Sequence, residues 1–380
     1  MDAVPQPPSA DSGRKLERLD VAVVGGGQTG LAIGYFLAQQ GRRFVIFDAA
    51  DALGAAWRTR WNSLVLFTPR RYSGLPGLPF PGDPEGYPTR DEVIAYLRQY
   101  AGTFELPAQV NTPVRRLSLA DGGFLLEFEN GQIEADQVVV ATGPFRVPHI
   151  PGFAGRLAPD VFQIHSTGYM EPSEVPEGTV LVVGGGNTGF QIARELSATH
   201  RVYLAVGSRN MPLPQRFLGR DLFWWLTKSR LIWKTVDSRI GQRLRGDNTL
   251  IGSSPRELRR RGVELKPRVT GASGRSVTFA DGQLDVDAVI WATGYRSDYT
   301  WIDAPIFDSS GQTKHQRGVT DVPGLYFLGL VWQYTRGSAL IGWVKDDAEF
   351  IAEQIEGSVR GRESEREHET LQATRATPAS

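Results

Sequence analysis

Three glycines near the start of the chain have the spacing that phosphate binding requires: Gly25, Gly27 and Gly30. They follow a short apolar run, Val21 to Val24, and precede a helical pattern of apolar residues. In such a unit the first glycine permits a tight turn, the second lets the backbone approach a pyrophosphate, and the third brings helix and strand together. The N–H groups at the helix N-terminus then face the phosphates. We therefore expect an adenine dinucleotide here.

An acidic residue follows the second apolar run of this unit. That run, Phe44 to Phe47, leads into Asp48, which stands close to the ~20 residues downstream at which an acid usually accepts the ribose hydroxyls. A glycine pattern alone also suits an ordinary strand–turn–helix, but strand, helix, second strand and terminal acid together favour a dinucleotide. We call this strand–turn–helix–strand unit, residues 21–48, the first cradle. The residues expected to contact the dinucleotide in it are Gly25, Gly27, Gln28, Thr29, Gly30 and Asp48.

The same architecture occurs a second time in the chain. Gly184 opens a second G-x-G-x-x-G pattern and follows Gly25 by 159 residues. The segment FADGQLDVDAVIWATG, from Phe279, matches FENGQIEADQVVVATG, from Phe128, at an offset of 151 residues. Two motifs repeated at similar offsets indicate a duplicated dinucleotide fold in which each copy carries a hairpin element. The equivalent unit of the second copy, which contains this glycine pattern, is the second cradle. The residues expected to contact a dinucleotide in it are Gly184, Gly186, Asn187, Thr188 and Gly189.

The second copy differs from the first at the position that should contact the ribose. Its second strand, Arg201 to Val206, is followed by Gly207, and no acid stands there. The next two residues, Ser208 and Arg209, offer a hydroxyl and a guanidinium, which suit a 2′-phosphate. We therefore expect NADPH in preference to NADH. The alternative is a solvated arginine on a loop.

The composition excludes several classes of function. The chain has 380 residues, enough for two or three domains, with 42 basic and 42 acidic side chains. This balance argues against a nucleic-acid binder or a general membrane-surface binder. No apolar run approaches the ~20 residues that span a bilayer, and the N-terminus lacks the apolar stretch of a signal peptide. We therefore expect a cytoplasmic protein without a transmembrane segment.

The chain contains no cysteine. Many proteins with two dinucleotide sites pass electrons from a flavin to a redox-active cysteine pair, and this chain cannot do so. Disulfides and cysteine-ligated metals are excluded for the same reason, and we expect no metal site.

The segment from Met211 to about residue 262 is the part of the chain with the least regular pattern. It contains two aromatic clusters, Leu222 to Leu226 and Leu231 to Trp233, among many basic residues. The simplest interpretation is a helical insertion whose aromatic side chains pack on their own domain. A lid over a substrate channel and a shallow interfacial patch are the alternatives.

Several short motifs resemble those of the class B flavoprotein monooxygenases. This family includes the flavin-containing monooxygenases, the Baeyer–Villiger enzymes and the plant enzymes that convert indole-3-pyruvate to auxin. The resemblance covers about residues 20–355 and rests on both glycine patterns and on further short motifs. These are Gly54 to Trp57, Tyr87-Pro88-Thr89, Ala141-Thr142-Gly143, His165-Ser166-x-x-Tyr169 and Ala292-Thr293-Gly294-Tyr295.

Two positions depart from the family pattern. The pair Phe153-x-Gly155 ends ten residues before His165, whereas the family places Phe-x-Gly a few residues before this histidine. Thr68 stands where many flavin-containing monooxygenases have an asparagine that steadies the flavin peroxide. The His165 motif is more similar to the flavin-containing monooxygenases than to the Baeyer–Villiger enzymes, and we expect its histidine to hold the two domains together.

The resemblance implies an α/β fold with two Rossmann-type dinucleotide-binding domains of three layers (ββα), in which an NADPH domain is inserted into an FAD domain. The expected bounds are a disordered leader (1–18), an FAD domain (19–165 and 286–356), an NADPH domain (166–285) with a helical insertion (about 211–262), and a disordered tail (357–380). The resemblance also implies further cofactor contacts from Trp57, Ala141, Thr142, Gly143, Thr293 and Gly294.

The resemblance further implies oxygen chemistry at the flavin. NADPH would reduce FAD, and a C4a-(hydro)peroxyflavin formed with O₂ would insert one oxygen atom into a small organic substrate. The outcome would be N- or S-oxygenation, or oxidation of a ketone or an α-keto acid. A helix starting near Ser338 would direct its N-terminus at the flavin, and a homodimer is left open. The residues expected to line the reacting atoms are Thr68, Trp332, Gln333 and Ser338.

Two other functions fit the same residues. The first is a flavin-dependent NADPH oxidase or reductase that releases H₂O₂ or reduces a quinone. The second is a flavoprotein that binds nucleotides and serves as a redox-sensing or interaction module. The three differ in what happens to electrons after they reach the flavin, which the motifs do not specify.

Overall fold

The structure, a computed structural model, describes residues 18–207, 210–245 and 248–376, with side chains described for 18–207, 211–245 and 249–360. Residues 1–17 of the predicted leader lie outside these ranges. Ser208 and Arg209, to which the sequence assigns a phosphate contact, also lie outside them.

The first copy forms a parallel sheet that an antiparallel hairpin extends. Its elements are β1 Arg18–Val24, α1 Gln28–Gln39, β2 Phe44–Phe47, α2 Ala55–Arg58, α3 Arg90–Thr103, β3 Ala108–Gln109, β4 Arg116–Ala120, β5 Gly123–Phe128, β6 Gly131–Val140 and β7 Val147–Pro148. β1 lies between β2 and β6 in parallel register, so that Val24 is paired with Phe47 on one side and Val140 on the other. Both faces of these strands are covered, because residues 21–24 and 44–47 are all buried.

The second copy repeats this plan. Its elements are β8 Phe162–His165, β9 Thr179–Val183, α4 Asn187–Leu196, β10 Arg201–Ala205, β11 Asn210–Leu213, β12 Arg216–Phe217, β13 Arg220–Asp221, α5 Leu222–Lys228, α6 Arg239–Arg245, β14 Asn248–Ile251, α7 Pro255–Arg260, β15 Glu264–Lys266, β16 Val269–Ser273, β17 Ser276–Phe279, β18 Gly282–Asp285 and β19 Ala288–Trp291. Its parallel sheet has the order β15-β10-β9-β19-β8. A separate antiparallel sheet, β16-β17-β18, corresponds to the hairpin of the first copy.

The chain then returns to the first sheet. The last elements are β20 Tyr295–Arg296, β21 Ile302–Asp303, β22 His315–Gln316, β23 Val319–Thr320, β24 Leu325–Phe327 and α8 Val344–Ala376. β24 pairs with β6 and β21 pairs with β4, while β20 pairs with β7 where the chain crosses between the two sheets. The second copy is therefore inserted into the first, as in the predicted fold of two Rossmann-type domains.

The segment 211–262 departs from the predicted helical insertion. It contains a parallel pair, β11 with β14, and a short hairpin, β12 with β13, beside three short helices. Its aromatic side chains also do not pack on their own domain alone. Phe223 stacks on Phe67 with ring centroids 5.9 Å apart and contacts Trp343 at 5.4 Å, and both partners belong to the first domain. Periodicity could not reveal this packing because the partners are remote in sequence.

The last helix begins later than predicted and extends further. Ser338 lies in a 3-10 turn, Arg336–Ala339, that Thr335 caps, and the chain is extended at Leu340 before α8 begins at Val344. The helix continues to Ala376 and therefore includes most of the segment predicted as a disordered tail. Within the described ranges, none of the helices combines the length and apolar character needed to cross a bilayer.

The packing of Phe223 generates a stability prediction. The side chain is 1 % exposed, so Phe223→Ala should leave a cavity between the domains and lower the free energy of unfolding by about 3–5 kcal/mol. Urea unfolding followed by circular dichroism measures the change. The matched control is Phe217→Ala on the neighbouring hairpin, where the ring is 55 % exposed and the change should stay within about 0.5 kcal/mol. Equal effects of the two substitutions would contradict the packing described here.

Candidate functional site

The first cradle is shaped by contacts between backbone segments. Gly25 has a φ of +117°, and a Cβ there would lie 2.6 Å from the Ala141 carbonyl oxygen. A Cβ on Gly30 would overlap the Gly25 carbonyl oxygen. Gly27 is different, because no described heavy atom beyond its chain neighbours lies within 4 Å of its hypothetical Cβ. Two glycines are thus required by the fold itself, and the middle one faces the open space that a pyrophosphate would fill.

The second cradle has the same geometry. Gly184 has a φ of +140°, and a Cβ there would overlap the Ala292 carbonyl oxygen. A Cβ on Gly189 would overlap the Gly184 carbonyl oxygen, whereas the position of Gly186 is open among the described residues. Ala292 therefore takes the place that Ala141 has in the first copy. The duplication inferred from the sequence is reproduced contact by contact.

The helices that follow the two cradles start without a side-chain cap. α1 begins after Gly27 and α4 begins after Gly186, and no side chain in the described ranges bonds to either helix N-terminus. By contrast, the N-terminus of α3 is capped by Thr89 and Glu92. The first N–H groups of α1 and α4 are therefore available to an anion. This availability is the fit expected for a dinucleotide pyrophosphate in each cradle.

The ribose positions of the two cradles carry different chemistry. Asp48 accepts hydrogen bonds from the backbone N–H groups of Gly26, at 2.5 Å, and Ala50, at 2.8 Å. Val24 is paired with Phe47 in the first sheet, and Val183 with Ala205 in the second. Val206 therefore occupies the position that Asp48 has in the first copy, one residue earlier than the sequence analysis placed it, because β10 ends at Ala205. A carboxylate suits ribose hydroxyls, and its absence at Val206 removes a charge that would repel a 2′-phosphate.

An arginine that the sequence analysis missed lies at this second ribose position. Arg268 donates from Nη2 and Nε to the Gly207 carbonyl oxygen, at 2.9 and 3.2 Å. Arg268 is exposed, and its partner Gly207 is the residue before Ser208 and Arg209 in the sequence. The sequence separation of 61 positions between Gly207 and Arg268 hid this arrangement. One signal could have revealed Arg268. It stands two residues after β15, and β15 pairs with β10, the strand that leads to the ribose position.

The loop between β24 and α8 lies against the start of α1. A Cβ on Gly329 would lie 2.5 Å from Thr29 Oγ1. Gln28 Nε2 lies 3.5 Å from the Ala339 carbonyl oxygen, and Gln28 Oε1 accepts a hydrogen bond from Trp57 Nε1 at 3.1 Å. The predicted cofactor residues Gln28 and Thr29 thus contact the loop that carries three of the four predicted lining residues.

Gln333 and Ser338, two of the four predicted lining residues, use their polar groups within this loop. The Gln333 amide donates to the Phe327 carbonyl oxygen at 3.1 Å and accepts from Leu330 N–H at 3.2 Å. Ser338 Oγ accepts from the backbone N–H groups of Tyr334 and Thr335. Both side chains are buried, so their described contacts give the loop its shape.

The other two predicted lining residues differ from these. Thr68 is buried, and its Oγ1 lies 3.1 Å from Ser73 Oγ. Trp332 is partly exposed and has a φ of +56°, a conformation uncommon for a bulky residue. The direct lining role of all four residues stays a prediction.

The crossing between the domains is built around His165. Its Nε2 lies 3.0 Å from the Gly294 carbonyl oxygen, and its ring meets the Tyr295 ring edge to face at 5.2 Å. Burial lowers the pKa of His165, which favours the neutral ring in this contact. Arg60 from the first domain donates to the Tyr295 hydroxyl. The predicted cofactor residue Gly294 therefore lies where both domains meet, and His165 holds the crossing as expected.

Comparison with known proteins places these features in context. The sequence profile of the "Pyridine nucleotide-disulphide oxidoreductase" family matches residues 22–213. An "Uncharacterized oxidoreductase CzcO-like" from Geobacillus kaustophilus is 48 % identical over 341 residues, which cover 89 % of this chain and 98 % of the relative. A "Probable indole-3-pyruvate monooxygenase YUCCA9" from Arabidopsis thaliana is 28 % identical over 389 residues, covering 91 % of this chain and 90 % of the relative.

A solved structure agrees with these sequence relatives. The flavin-containing monooxygenase from Stenotrophomonas maltophilia superposes with a TM-score of 0.77 at 30 % sequence identity. The superposition covers 90 % of this chain and all of that protein.

The open positions in the two cradles generate a prediction about cofactor binding. Gly27 and Gly186 have extended backbone angles that valine also adopts, and space for a side chain is present. Gly27→Val should therefore fold but lose bound FAD, because the side chain fills the place of the pyrophosphate. Gly186→Val should keep FAD and lose NADP⁺ binding. Flavin absorbance after gel filtration and calorimetric titration with NADP⁺ measure the two effects.

The control for this prediction is a glycine that the fold itself requires. Gly30→Ala would force a Cβ onto the Gly25 carbonyl oxygen and should lower the melting temperature as well as FAD content. A Gly27→Val protein that remains yellow and fully loaded would contradict the assignment of the first cradle.

Proposed function

We propose that this chain, which belongs to the class B flavoprotein monooxygenases, inserts one oxygen atom of O₂ into a small organic substrate that is a soft nucleophile or a carbonyl compound. The chain is an FAD- and NADPH-dependent monooxygenase; the substrate class is our inference. The observation that carries the proposal is a pair of equivalent, uncapped cradles in a chain without cysteine. Without a thiol pair, electrons that leave the flavin must go to O₂ or to another acceptor from outside the protein.

The first cradle would hold FAD. Its open Gly27 position and the N-terminus of α1 suit the pyrophosphate, and Asp48 suits the ribose. Trp57, fixed by its hydrogen bond to Gln28, would contact the flavin end of this cofactor. When bound, FAD takes a hydride from NADPH and activates O₂ for transfer of one oxygen atom.

The second cradle would hold NADPH. Gly186 and the N-terminus of α4 suit its pyrophosphate, and Asn187 keeps the end of β14 in place by accepting from Ile251 N–H at 2.9 Å. The 2′-phosphate would be bound by Arg268 together with Ser208 and Arg209. Charged hydrogen bonds of this kind favour the phosphorylated nucleotide.

The segment 211–262 would keep water away from the reacting atoms. Gln215 Nε2 donates to the Phe67 carbonyl oxygen at 2.8 Å, and Phe223 stacks on the Phe67 ring. These contacts hold the segment against the loop that carries Thr68. Exclusion of water protects reactive species from wasteful breakdown, which supports oxygen transfer over simple release of H₂O₂.

The substrate class follows from chemistry and from one relative. Oxygen transfer by a flavin suits amines and sulfides, and it also suits ketones and α-keto acids. The plant relative named above carries the name of an indole-3-pyruvate monooxygenase, so an α-keto acid belongs in any substrate panel. We infer N- or S-oxygenation, or oxidation of such a carbonyl compound.

A coupling assay tests the proposal. NADPH consumption and H₂O₂ release should be equal without substrate, and H₂O₂ per NADPH should fall when a sulfide, an amine or an α-keto acid is oxygenated. Mass spectrometry of products formed under ¹⁸O₂ identifies the inserted atom. Unchanged H₂O₂ release with every member of the panel would instead assign an oxidase, and NADPH-dependent quinone reduction without O₂ would assign a reductase.

The position of Arg268 generates a prediction about nucleotide choice. Arg268→Ala should weaken NADP⁺ binding about tenfold, because a charged hydrogen bond to phosphate is lost, and leave NAD⁺ binding unchanged. Arg209→Ala should act in the same direction. Calorimetric titration of the FAD-loaded protein measures both constants, and Arg260→Ala on the exposed side of α7 is the matched control. Equal losses for the two nucleotides would remove the 2′-phosphate role.

A further inference from the structure

The hairpin of β12 and β13 exposes an apolar side chain at a strained position. Its two-residue turn consists of Leu218 and Gly219, with φ values of +48° and +73°. Positive φ at both central residues defines a turn that usually contains Asn-Gly, and leucine is disfavoured in this conformation. Leu218 is nevertheless 74 % exposed, and Phe217 beside it is 55 % exposed. Folding of the chain alone does not explain a leucine here.

Arginine and tryptophan side chains surround this tip. Arg216 and Arg220 flank the turn, and the Arg220 guanidinium lies 5.5 Å from the centre of the Trp224 ring. Trp225 donates from Nε1 to the Phe217 carbonyl oxygen at 2.9 Å. Both indole rings remain partly exposed. Tryptophan and arginine beside an apolar tip are the composition of a surface that lies at a membrane interface.

Positive charge is concentrated in this part of the chain. Residues 211–245 contain eight basic and two acidic side chains, whereas the whole chain has equal numbers of both. One of the two acids, Asp221, is 2 % exposed and therefore does not face a partner. The surface around the hairpin thus complements a negatively charged partner.

The base of the hairpin is fixed on the first domain. Asp221 accepts hydrogen bonds from the Tyr87 hydroxyl at 2.7 Å and from Gln215 Nε2 at 2.8 Å. Arg216 lies 3.3 Å from the Glu85 carboxylate. The tip is therefore presented by a rigid support, so its exposed side chains do not need to be ordered when a partner binds.

We propose that this surface, formed by Arg216, Phe217, Leu218, Arg220, Trp224 and Trp225, docks on an anionic lipid bilayer. Nucleic acid would bind the arginines but would leave the exposed leucine and phenylalanine unused. A bilayer accepts both, because the apolar tip enters the acyl boundary and the cations contact the headgroups. The contact is peripheral and does not depend on which substrate the enzyme oxidises.

Cosedimentation of the FAD-loaded full chain with vesicles tests this inference. The protein should bind vesicles of phosphatidylglycerol and phosphatidylcholine, and bind pure phosphatidylcholine much more weakly. Leu218→Asn should weaken binding about tenfold, because the apolar insertion is lost. Arg220→Gln should weaken it about fivefold, and higher salt should weaken it further.

The Leu218→Asn variant separates binding from folding. Asparagine suits the positive φ of this turn better than leucine does, so the variant should keep its melting temperature and its FAD. Leu119→Asn, at a leucine that is 51 % exposed on β4, is the matched control and should bind vesicles like the parent. Absence of binding to anionic vesicles, or equal binding of Leu218→Asn and the parent, would overturn the proposal. Binding that Arg220→Gln weakens and Leu218→Asn does not would assign the surface to an acidic macromolecule and overturn it as well.

Discussion

The structure depends on the close approach of two backbone segments at the edge of each parallel sheet. In the first copy Gly25 meets Ala141, and in the second Gly184 meets Ala292, each at a distance that admits no side chain on the glycine. In the first copy the turn after β1 thus lies against the end of β6, and in the second copy the turn after β9 lies against the end of β19. An uncapped helix, α1 in the first copy and α4 in the second, begins three residues after this glycine and offers its N-terminal N–H groups. This backbone geometry suits a phosphate, because the N–H groups of a helix N-terminus attract an anion.

The two cradles are held in a fixed relation by segments exchanged between the domains. Trp61 and Leu64 belong to the first copy in sequence, yet they are buried in the core of the second sheet. Phe223 belongs to the second copy, yet it is buried against the first. The chain also crosses twice between the sheets, at β7 and β20, where His165 and Tyr295 meet. Each domain therefore carries part of the other's core, which opposes free rotation of one cradle relative to the other.

Loop shape near the first cradle is maintained by an ion pair whose aspartate is buried. Arg317 donates from Nε to Asp347 Oδ1 at 2.9 Å, and its guanidinium lies between the rings of Tyr334 and Phe350 at 4.3 and 4.2 Å. The Asp347 side chain is 3 % exposed, so loss of Arg317 would leave a buried charge without its partner. This pair joins α8 to the turn between β22 and β23, and Arg317 contacts the loop that Gln333 shapes through the Tyr334 ring. The polar residues of this loop therefore position its backbone beside α1.

The sequence by itself determined the dinucleotide chemistry, the duplication, the absence of a redox-active cysteine pair in this chain and the α/β class. These depend on local features, since a glycine motif, an apolar strand and an acid at a set spacing act within one supersecondary unit. The tertiary structure alone decided three other matters. It placed Arg268 beside Gly207, it packed the segment 211–262 on the first domain, and it started the last helix at Val344. Each depends on contacts between residues far apart in the chain, and periodicity contains no information about such contacts.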